Sequence, residues 1–298
     1  MKITPTYPET PWISFRNAAV TSKAGSGDNL VYVPTDLAPV AEMRGDVGAD
    51  RRPFRLSGSN KFGELTCAYY FYKYLEGKGI PTDEGPADID ILGRLRNFSE
   101  EEMSLAAPHD SLKLLGLTLS PTVGEIVKKT NHESDNFYAE ALLRHISKAR
   151  TGSACYDSCT VAENAALKAL GMRGGVQIVD GSGLSRNDYV SPNFIVDFLK
   201  VMKGSSVFDS FLHSLPQPGI GTLSTRMMRY PNEDKSRIFM KSGSMNGVRC
   251  YSGYILSQDG KDENTIVFSI MTNNTIVPAS RINFIMDRLL GLMALENK

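Results

Sequence analysis

The sequence predicts an α+β fold, on three observations. The last third holds three strand-length apolar runs, Arg237–Lys241, Cys250–Leu256 and Thr265–Met271, with a turn at Ser257–Asn264. Ile282 to Leu295 then repeats apolar residues at helical spacing. The first sixty or so residues are rich in Pro, Gly, Thr and Asp, with short apolar runs such as Leu30-Val31-Tyr32-Val33, which is the pattern of strands and loops. An antiparallel meander covered by a C-terminal helix is the α+β solution of this order.

The elements between follow in turn. Leu65, Ala68, Tyr69, Tyr72 and Leu75 recur at helical spacing, and Gly77 and Gly79 stop that helix. Residues 81–108 are acidic and loop-like, and from about residue 110 the pattern becomes denser. Ser134 reads as the start of a helix with Phe137, Tyr138, Ala141, Leu142 and His145 on one face. Another helix spans roughly 161–170 and is closed by Gly171. Val176-Gln177-Ile178-Val179 reads as a strand ending in the tight loop Asp180-Gly181-Ser182-Gly183. Ser191-Pro192 has the cap-then-proline order of a helix start, and Gly204 ends that helix. No internal repeat or low-complexity segment interrupts the chain. The organisation expected is a β-rich segment over residues 1–60, then one larger unit over 61–298.

Composition excludes several classes. Across 298 residues, 33 Lys and Arg balance 33 Asp and Glu, so no net charge favours a nucleic-acid phosphate backbone. With 41% hydrophobic and 22% charged residues the chain can bury a core, which excludes general disorder. The longest apolar runs, such as Thr265–Met271, are far below the roughly 20 residues of a membrane span. Met1-Lys2-Ile3-Thr4-Pro5-Thr6-Tyr7-Pro8 has no apolar h-region, so it is not a signal peptide. Four cysteines are too few for a disulfide scaffold; Cys155 and Cys159 read either as a pair or as half a metal site, for which four histidines are a thin supply.

Two short motifs carry chemistry together. Ser134-Asp135-Asn136 stands at a helix start, and Lys241-Ser242-Gly243 at a strand end 107 residues later. By average composition a Lys-Ser/Thr-Gly tripeptide arises by chance in roughly one such chain in seven and Ser-Asp-Asn in roughly one in twenty, so either alone is weak. An acyl-transfer site beside a free carboxylate needs a cation, which Lys241 supplies, and a hydroxyl donor, which Ser242 adds. Gly243 leaves room for a substrate strand along that edge. Ser134 Oγ both donates and accepts, so it can pass a proton to a leaving nitrogen, and the Asn136 amide can hold a substrate carbonyl. The Ser244 backbone N–H is a candidate oxyanion donor.

This pair belongs to the signature set of β-lactamases and penicillin-binding proteins. Glu133-Ser134-Asp135-Asn136-Phe137-Tyr138-Ala139-Glu140, Asp180-Gly181-Ser182-Gly183-Leu184-Ser185-Arg186, Val190-Ser191-Pro192, Gly221-Thr222-Leu223 and Lys241-Ser242-Gly243-Ser244-Met245 stand in one order. Over about residues 115–275 the chain resembles the class C low-molecular-mass penicillin-binding proteins, the serine D-Ala-D-Ala carboxypeptidase/endopeptidases. Residues 50–80 match weakly. The Asp-Gly-Ser-Gly-Leu-Ser loop separates that family from β-lactamases. The resemblance implies a β-lactamase/DD-peptidase-like antiparallel sheet flanked by helices, preceded by a β-rich remnant of an inserted domain. It implies an acyl-enzyme mechanism on peptidoglycan stem peptides, binding of β-lactam antibiotics, no metal or organic cofactor, no nucleic-acid partner, and a periplasmic or cell-envelope location. By the same resemblance Ser134, Asn136 and Lys241 are catalytic. Ser182, Gly183, Leu184, Arg186 and Met245 flank the pocket for the rest of the stem peptide.

The third motif of that family, Ser-x-x-Lys, is missing: no lysine of this chain has a serine three positions earlier. That spacing puts both residues on one helix face, so that the amine can take the serine proton. The nearest imitation, Ser57-Gly58-Ser59-Asn60-Lys61, reads as a loop. Two accounts stand. The chain is the C-terminal part of a longer protein whose nucleophile lies upstream, or it is a diverged relative without catalysis that binds peptidoglycan peptides. A fragment should expose apolar surface and need the missing N-terminal segment or a second copy as partner.

Plainer readings compete. Ser134 and Asn136 also suit helix caps, Lys241–Gly243 a strand running into a turn, and Asp180–Ser185 a turn relieved by its glycines. Their common order favours the catalytic reading. His132 stands where a base would, but the family uses lysine, and Tyr69-Tyr70-Phe71-Tyr72 reads as packing at a helix surface.

Overall fold

The computed structural model describes residues 2–35, 38–51, 53–88, 117–172 and 174–297. Much of the acidic stretch expected as a loop over 81–108 lies outside them. Two compact units, Met1–Leu117 and Thr118–Lys298, divide the chain.

The first unit contains the β-rich segment and the helix after it. Strands β1 (Ser14–Asn17), β2 (Val20–Ser22), β3 (Val31–Pro34), β4 (Val40–Arg44) and β5 (Asp46–Gly48) precede helix α1 (Gly63–Gly77). β4 lies between β1, in parallel register Ser14↔Val40, and β3, antiparallel with Val31↔Arg44. β2 pairs with β5 in parallel. Ala41 and Val47 are buried in this unit. Trp12 meets Tyr69 of α1 edge-on at 5.1 Å, so one face of the tyrosine run packs as expected. Residues 54–60 form no helix or strand, which agrees with the loop reading of Ser57–Lys61.

The second unit is a sheet between helical layers. Helices α2 (Val123–Glu133), α3 (Asn136–Thr151) and α4 (Tyr156–Ala169) lead to the short pair β6 (Val176–Gln177) and β7 (Tyr189–Val190). Then come α5 (Pro192–Lys203), α6 (Phe208–Ser214), a 3-10 turn at Gly221–Leu223, and α7 (Asn232–Lys235). The meander β8 (Ile238–Met245), β9 (Val248–Ile255) and β10 (Ile266–Thr272) precedes α8 (Ala279–Glu296). Its order is β10-β9-β8, antiparallel throughout, as the sequence predicts. The Ser191 side chain accepts from Phe194 N, and Pro192 opens α5, also as predicted.

Strand alternation distributes the core. Ile238, Met240, Tyr251, Ile255 and Phe268 face Ile282, Met286, Leu290 and Ala294 of α8. Phe239, Tyr254 and Val267 point the other way, against Leu199 of α5 and Leu212 and Leu215 near α6. Tyr254 is fully buried; its hydroxyl donates to Leu199 O at 2.7 Å, and the rings of Phe208 and Phe211 meet it edge-on. Gly253, on β9, is required there, because a Cβ would lie 2.0 Å from Phe239 O. Arg237 ties the end of α8 to the sheet, donating to Ala294 O, Asn297 O and Leu256 O and pairing with Asp234. Among the described residues no helix is long and apolar enough to cross a membrane.

Candidate active site

The site forms where the corner between α2 and α3 meets the outer edge of β8. α2 starts with a capping box, in which Thr122 Oγ1 accepts from Glu125 N and Glu125 accepts from Thr122 N. It ends at Ser134, whose φ of 54° and ψ of 49° are left-handed, a conformation uncommon for a residue with a side chain. Asp135 then caps α3, its Oδ1 accepting from Tyr138 N at 3.0 Å. The helix start expected at Ser134 is therefore corrected by one residue. The short Asp135 carboxylate reaches the free amides of α3, while Ser134 closes α2 and leaves its hydroxyl for other work.

Lys241 of β8 arrives from the other side. Its Nζ donates to Ser134 Oγ at 2.9 Å and to Ser242 O at 2.7 Å. Burial holds the Lys241 ammonium below its ordinary pKa. A lysine ammonium has no acceptor, so Ser134 Oγ accepts in this bond and its own hydrogen stays free. Asn136, at the first position of α3, is exposed, with no side-chain hydrogen bond among the described residues.

Lys241 and Ser242 leave opposite faces of the strand, with the free edge between them. Ser242 Oγ lies 3.3 Å from Thr222 Oγ1 in the turn Gly221–Leu223. That turn sits against the end of α2: Gly221 has φ +55°, and a Cβ there would stand 2.3 Å from His132 O. Met240 N donates outward, to Pro216 O at 3.0 Å, and not into the β8–β9 ladder. The antiparallel alternation then turns the backbone groups of Ser242 and Ser244 to the same outer edge. Gly243 and Ser244 are exposed, and Met245 is half-buried at the hairpin end.

The loop after β6 is built separately. Asp180 organises it, accepting from Gly183 N and Ser185 N, and Asp188 accepts from Val179 N at 2.7 Å. Gly183 adopts φ +70°. The loop touches α3 at Gly181, whose N–H donates to Glu140 Oε2 at 2.8 Å. Leu184 and Arg186 are exposed, and Arg186 makes no ion pair among the described residues. The structure thus joins Ser134, Lys241 and Ser242 by hydrogen bonds. Ser182, Gly183, Leu184 and Arg186 share a loop fastened to the same helix as Asn136, with no direct bond to Lys241.

Three residues here have no assigned role in the sequence reading: Thr222, Glu140 and Asp135. All lie inside quoted motifs, so their presence was visible; the Asp135 cap is local, whereas the contacts of Glu140 and Thr222 join segments 41 and 20 residues apart. His132 is held below its ordinary pKa by burial, then by Lys128, and its Nε2 is buried without a partner. All four cysteines are free, so Cys155 and Cys159 are unpaired in this structure. No group of three or more His, Cys, Asp or Glu among the described residues is placed to hold a metal ion.

Comparison with known proteins bears on the family and the fold. The model of the D-Ala-D-Ala carboxypeptidase 3 (S13) family matches residues 98–293. The chain is 29% identical over 270 residues to a D-alanyl-D-alanine carboxypeptidase of Actinomadura sp. (strain R39), covering 88% of this chain and 46% of the relative. It is 30% identical over 186 residues to penicillin-sensitive carboxypeptidase A of Dictyostelium discoideum, covering 59% of this chain and 34% of that protein. The chain therefore spans less than half the length of these relatives. The fold is similar to that of penicillin binding protein 4 from Haemophilus influenzae, solved with a β-lactam, with a TM-score of 0.70 at 20% identity over 97% of this chain and 64% of that one.

Proposed function

This chain belongs to the D-Ala-D-Ala carboxypeptidase 3 (S13) family, and from that premise we propose that it carries the carboxylate-binding and proton-transfer part of a serine DD-peptidase site. The substrate is a peptidoglycan stem peptide ending in D-Ala-D-Ala, and the nucleophile comes from residues outside this chain. The single observation that carries the reading is the bond from Lys241 Nζ to Ser134 Oγ, at 2.9 Å.

The substrate lies along the outer edge of β8 as an added strand, opposite Gly243 and Ser244. Its terminal carboxylate takes its counter-charge from Lys241 and a hydrogen bond from Ser242, which Thr222 orients. The Ser244 N–H donates to the carbonyl oxygen as negative charge develops there. When the acyl-enzyme forms, the nucleophile oxygen bonds to the carbonyl carbon and the C–N bond to the last D-Ala breaks; Ser134 passes its hydroxyl proton to that nitrogen and takes in its place the proton the nucleophile gives up. Asn136 holds the carbonyl of the preceding residue. The loop carrying Ser182, Gly183, Leu184 and Arg186, with Met245, receives the rest of the stem peptide. β-Lactams would occupy the same edge through their carboxylate. The location that suits this substrate is the periplasm or cell envelope. On the outer face of α8 Phe284, Ile285, Leu289, Leu292 and Leu295 are exposed, which supports a partner segment or self-association.

A second reading, a binding module that holds stem peptides without cleaving them, is favoured by the absence of Ser-x-x-Lys from the sequence. Intact-mass measurement after incubation with a fluorescent penicillin tests both. The expected result is no covalent adduct on the chain alone, and an adduct once a Ser-x-x-Lys-bearing segment of the family is supplied. A stoichiometric adduct on the chain alone would overturn the external nucleophile and map the true one. No adduct in either case, with reversible binding retained, would favour the binding module.

A further inference from the structure

Glu140 stands one turn after Asn136 on α3 and has two partners. Its Oε2 accepts from Gly181 N at 2.8 Å, and its Oε1 pairs with Arg144 Nε at 3.0 Å. Arg144 is fixed in turn, donating to Ala154 O at 3.0 Å and lying over the Tyr156 ring at 4.4 Å. The carboxylate is thus held in one place from its own helix, one turn along and at the start of α4. Gly181 meets α3 so closely that a Cβ would lie 2.5 Å from Ala139 O and 2.8 Å from Glu140 Cα. Beyond Gly181 the chain turns through Gly183 at φ +70°, and Asp180 accepts from Gly183 N and Ser185 N. Leu184 and Arg186 are carried on this turn as exposed residues.

We propose that Glu140 is a positioning residue: it ties the Asp180–Asp188 loop to the helix that begins at Asn136, and so sets where Leu184 and Arg186 meet the substrate residue preceding D-Ala-D-Ala. The inference rests on the function proposed above. A charge-assisted bond to a single backbone amide is the one side-chain hydrogen bond between α3 and this loop among the described residues, so its loss frees the loop without removing Lys241 or Ser134.

The test compares two peptides on the full 298-residue chain by titration calorimetry or ligand-observed NMR. One is a stem peptide whose third residue has a long aliphatic side chain ending in a carboxylate, which suits Leu184 and Arg186; the other is N-acetyl-D-Ala-D-Ala. Wild type should prefer the long peptide, and Lys241→Ala should lose both. Glu140→Ala should cut the preference by roughly tenfold while the short peptide keeps its affinity within about twofold. Glu140→Gln should restore the preference, because the amide oxygen still accepts from Gly181 N although the pair with Arg144 is lost. Should Glu140→Ala not fold, Glu140→Asp withdraws the carboxylate from Gly181 and should lose the preference as well. Amide hydrogen exchange at Gly181–Ser185 should rise with that loss.

An unchanged preference in Glu140→Ala, or an equal loss for both peptides, overturns the proposal and leaves the proposed function standing. Failure of Glu140→Gln to restore the preference assigns the effect to the Arg144 pair and also overturns it. If wild type binds neither peptide, or Lys241→Ala binds as wild type does, the proposed function and this inference fall together.

Discussion

Lys241 and Ser134, 107 residues apart in the chain, meet in a 2.9 Å hydrogen bond at the edge of the sheet. Each residue is held against a preference. Ser134 is in a left-handed conformation, and the Lys241 ammonium is partly desolvated.

Lys241→Met should therefore raise Tm near neutral pH while removing recognition of D-Ala-D-Ala peptides and penicillins. The sign follows from proton linkage. Folding lowers the Lys241 pKa below its ordinary 10.5, so the folded chain binds that proton less well than the unfolded chain. Stability then rises with pH between the lowered value and 10.5. The Tm advantage of Lys241→Met should shrink across that window, as wild type sheds the buried charge. Thermal scans at pH 7 and near 10 check this, and a lower Tm for the variant at pH 7 would contradict it.

Asp135 is the helix cap within the first motif, so Asp135→Ala should cost about 1 kcal/mol of stability. Asp135→Asn should lie close to wild type, since its side-chain oxygen still accepts from Tyr138 N. Urea unfolding of the three proteins measures the ranking. Equal losses for both variants would show that charge, and not the cap, is what Asp135 contributes.

Gly221→Ala should destabilise by about 1–3 kcal/mol, from the added carbon and its left-handed backbone together. The added carbon would meet His132 O at 2.3 Å, and the turn carrying Thr222 must shift. Peptide binding should weaken even where the variant is fully folded, because Thr222 Oγ1 then loses Ser242 Oγ. Binding measured well below the unfolding midpoint separates the two effects, and unaltered affinity would free Thr222 from any role in orienting Ser242.

Acid should favour the fold at Glu163 of α4, whose carboxyl is pushed up to about 7 by burial and then by Asp188. A raised carboxyl pKa contributes its stability fully below the ordinary 4.5, and loses it as pH rises through about 7. Glu163→Gln should match wild type at pH 4 and exceed its Tm at pH 8. Parallel Tm curves across that range would show that the group titrates normally.

Where sequence alone succeeded, the signals were local. The three meander strands, α8, α1, the Ser191 cap and the loop at Ser57–Lys61 each rest on spacing or turn chemistry within a few residues. α2 escapes the sequence reading because its apolar residues, Val123, Ile126 and Val127, all lie in its first half and none is buried, so no apolar repeat runs on from the Thr122–Glu125 box. The error at Ser134 arose because serine and aspartate are both good caps in adjacent positions, and only the fold shows that the first closes one helix while the second opens the next. The meeting of Ser134 with Lys241 was legible through the motif pair. The meetings of Glu140 with Gly181 and of Thr222 with Ser242 were not, because nothing in local composition encodes which distant backbone amide or hydroxyl a side chain will find.

The spread of these contacts along the chain also orders the folding reaction. β8 and β9 are joined by the short turn at Asn246-Gly247, and the core they share with α8 comes wholly from Leu223 to Ala294. Such near-neighbour contacts cost little chain entropy and form early, whereas bringing Ser134 to Lys241 closes a far longer loop. Ile255→Val should then slow refolding, while Ser134→Ala should leave the refolding rate unchanged and alter only unfolding. The scaffold of the edge is thus assembled before the serine is delivered to it, and during that interval β8 presents an unpaired edge to any other extended chain, a synthesis-time hazard of the same geometry that serves recognition in the finished protein.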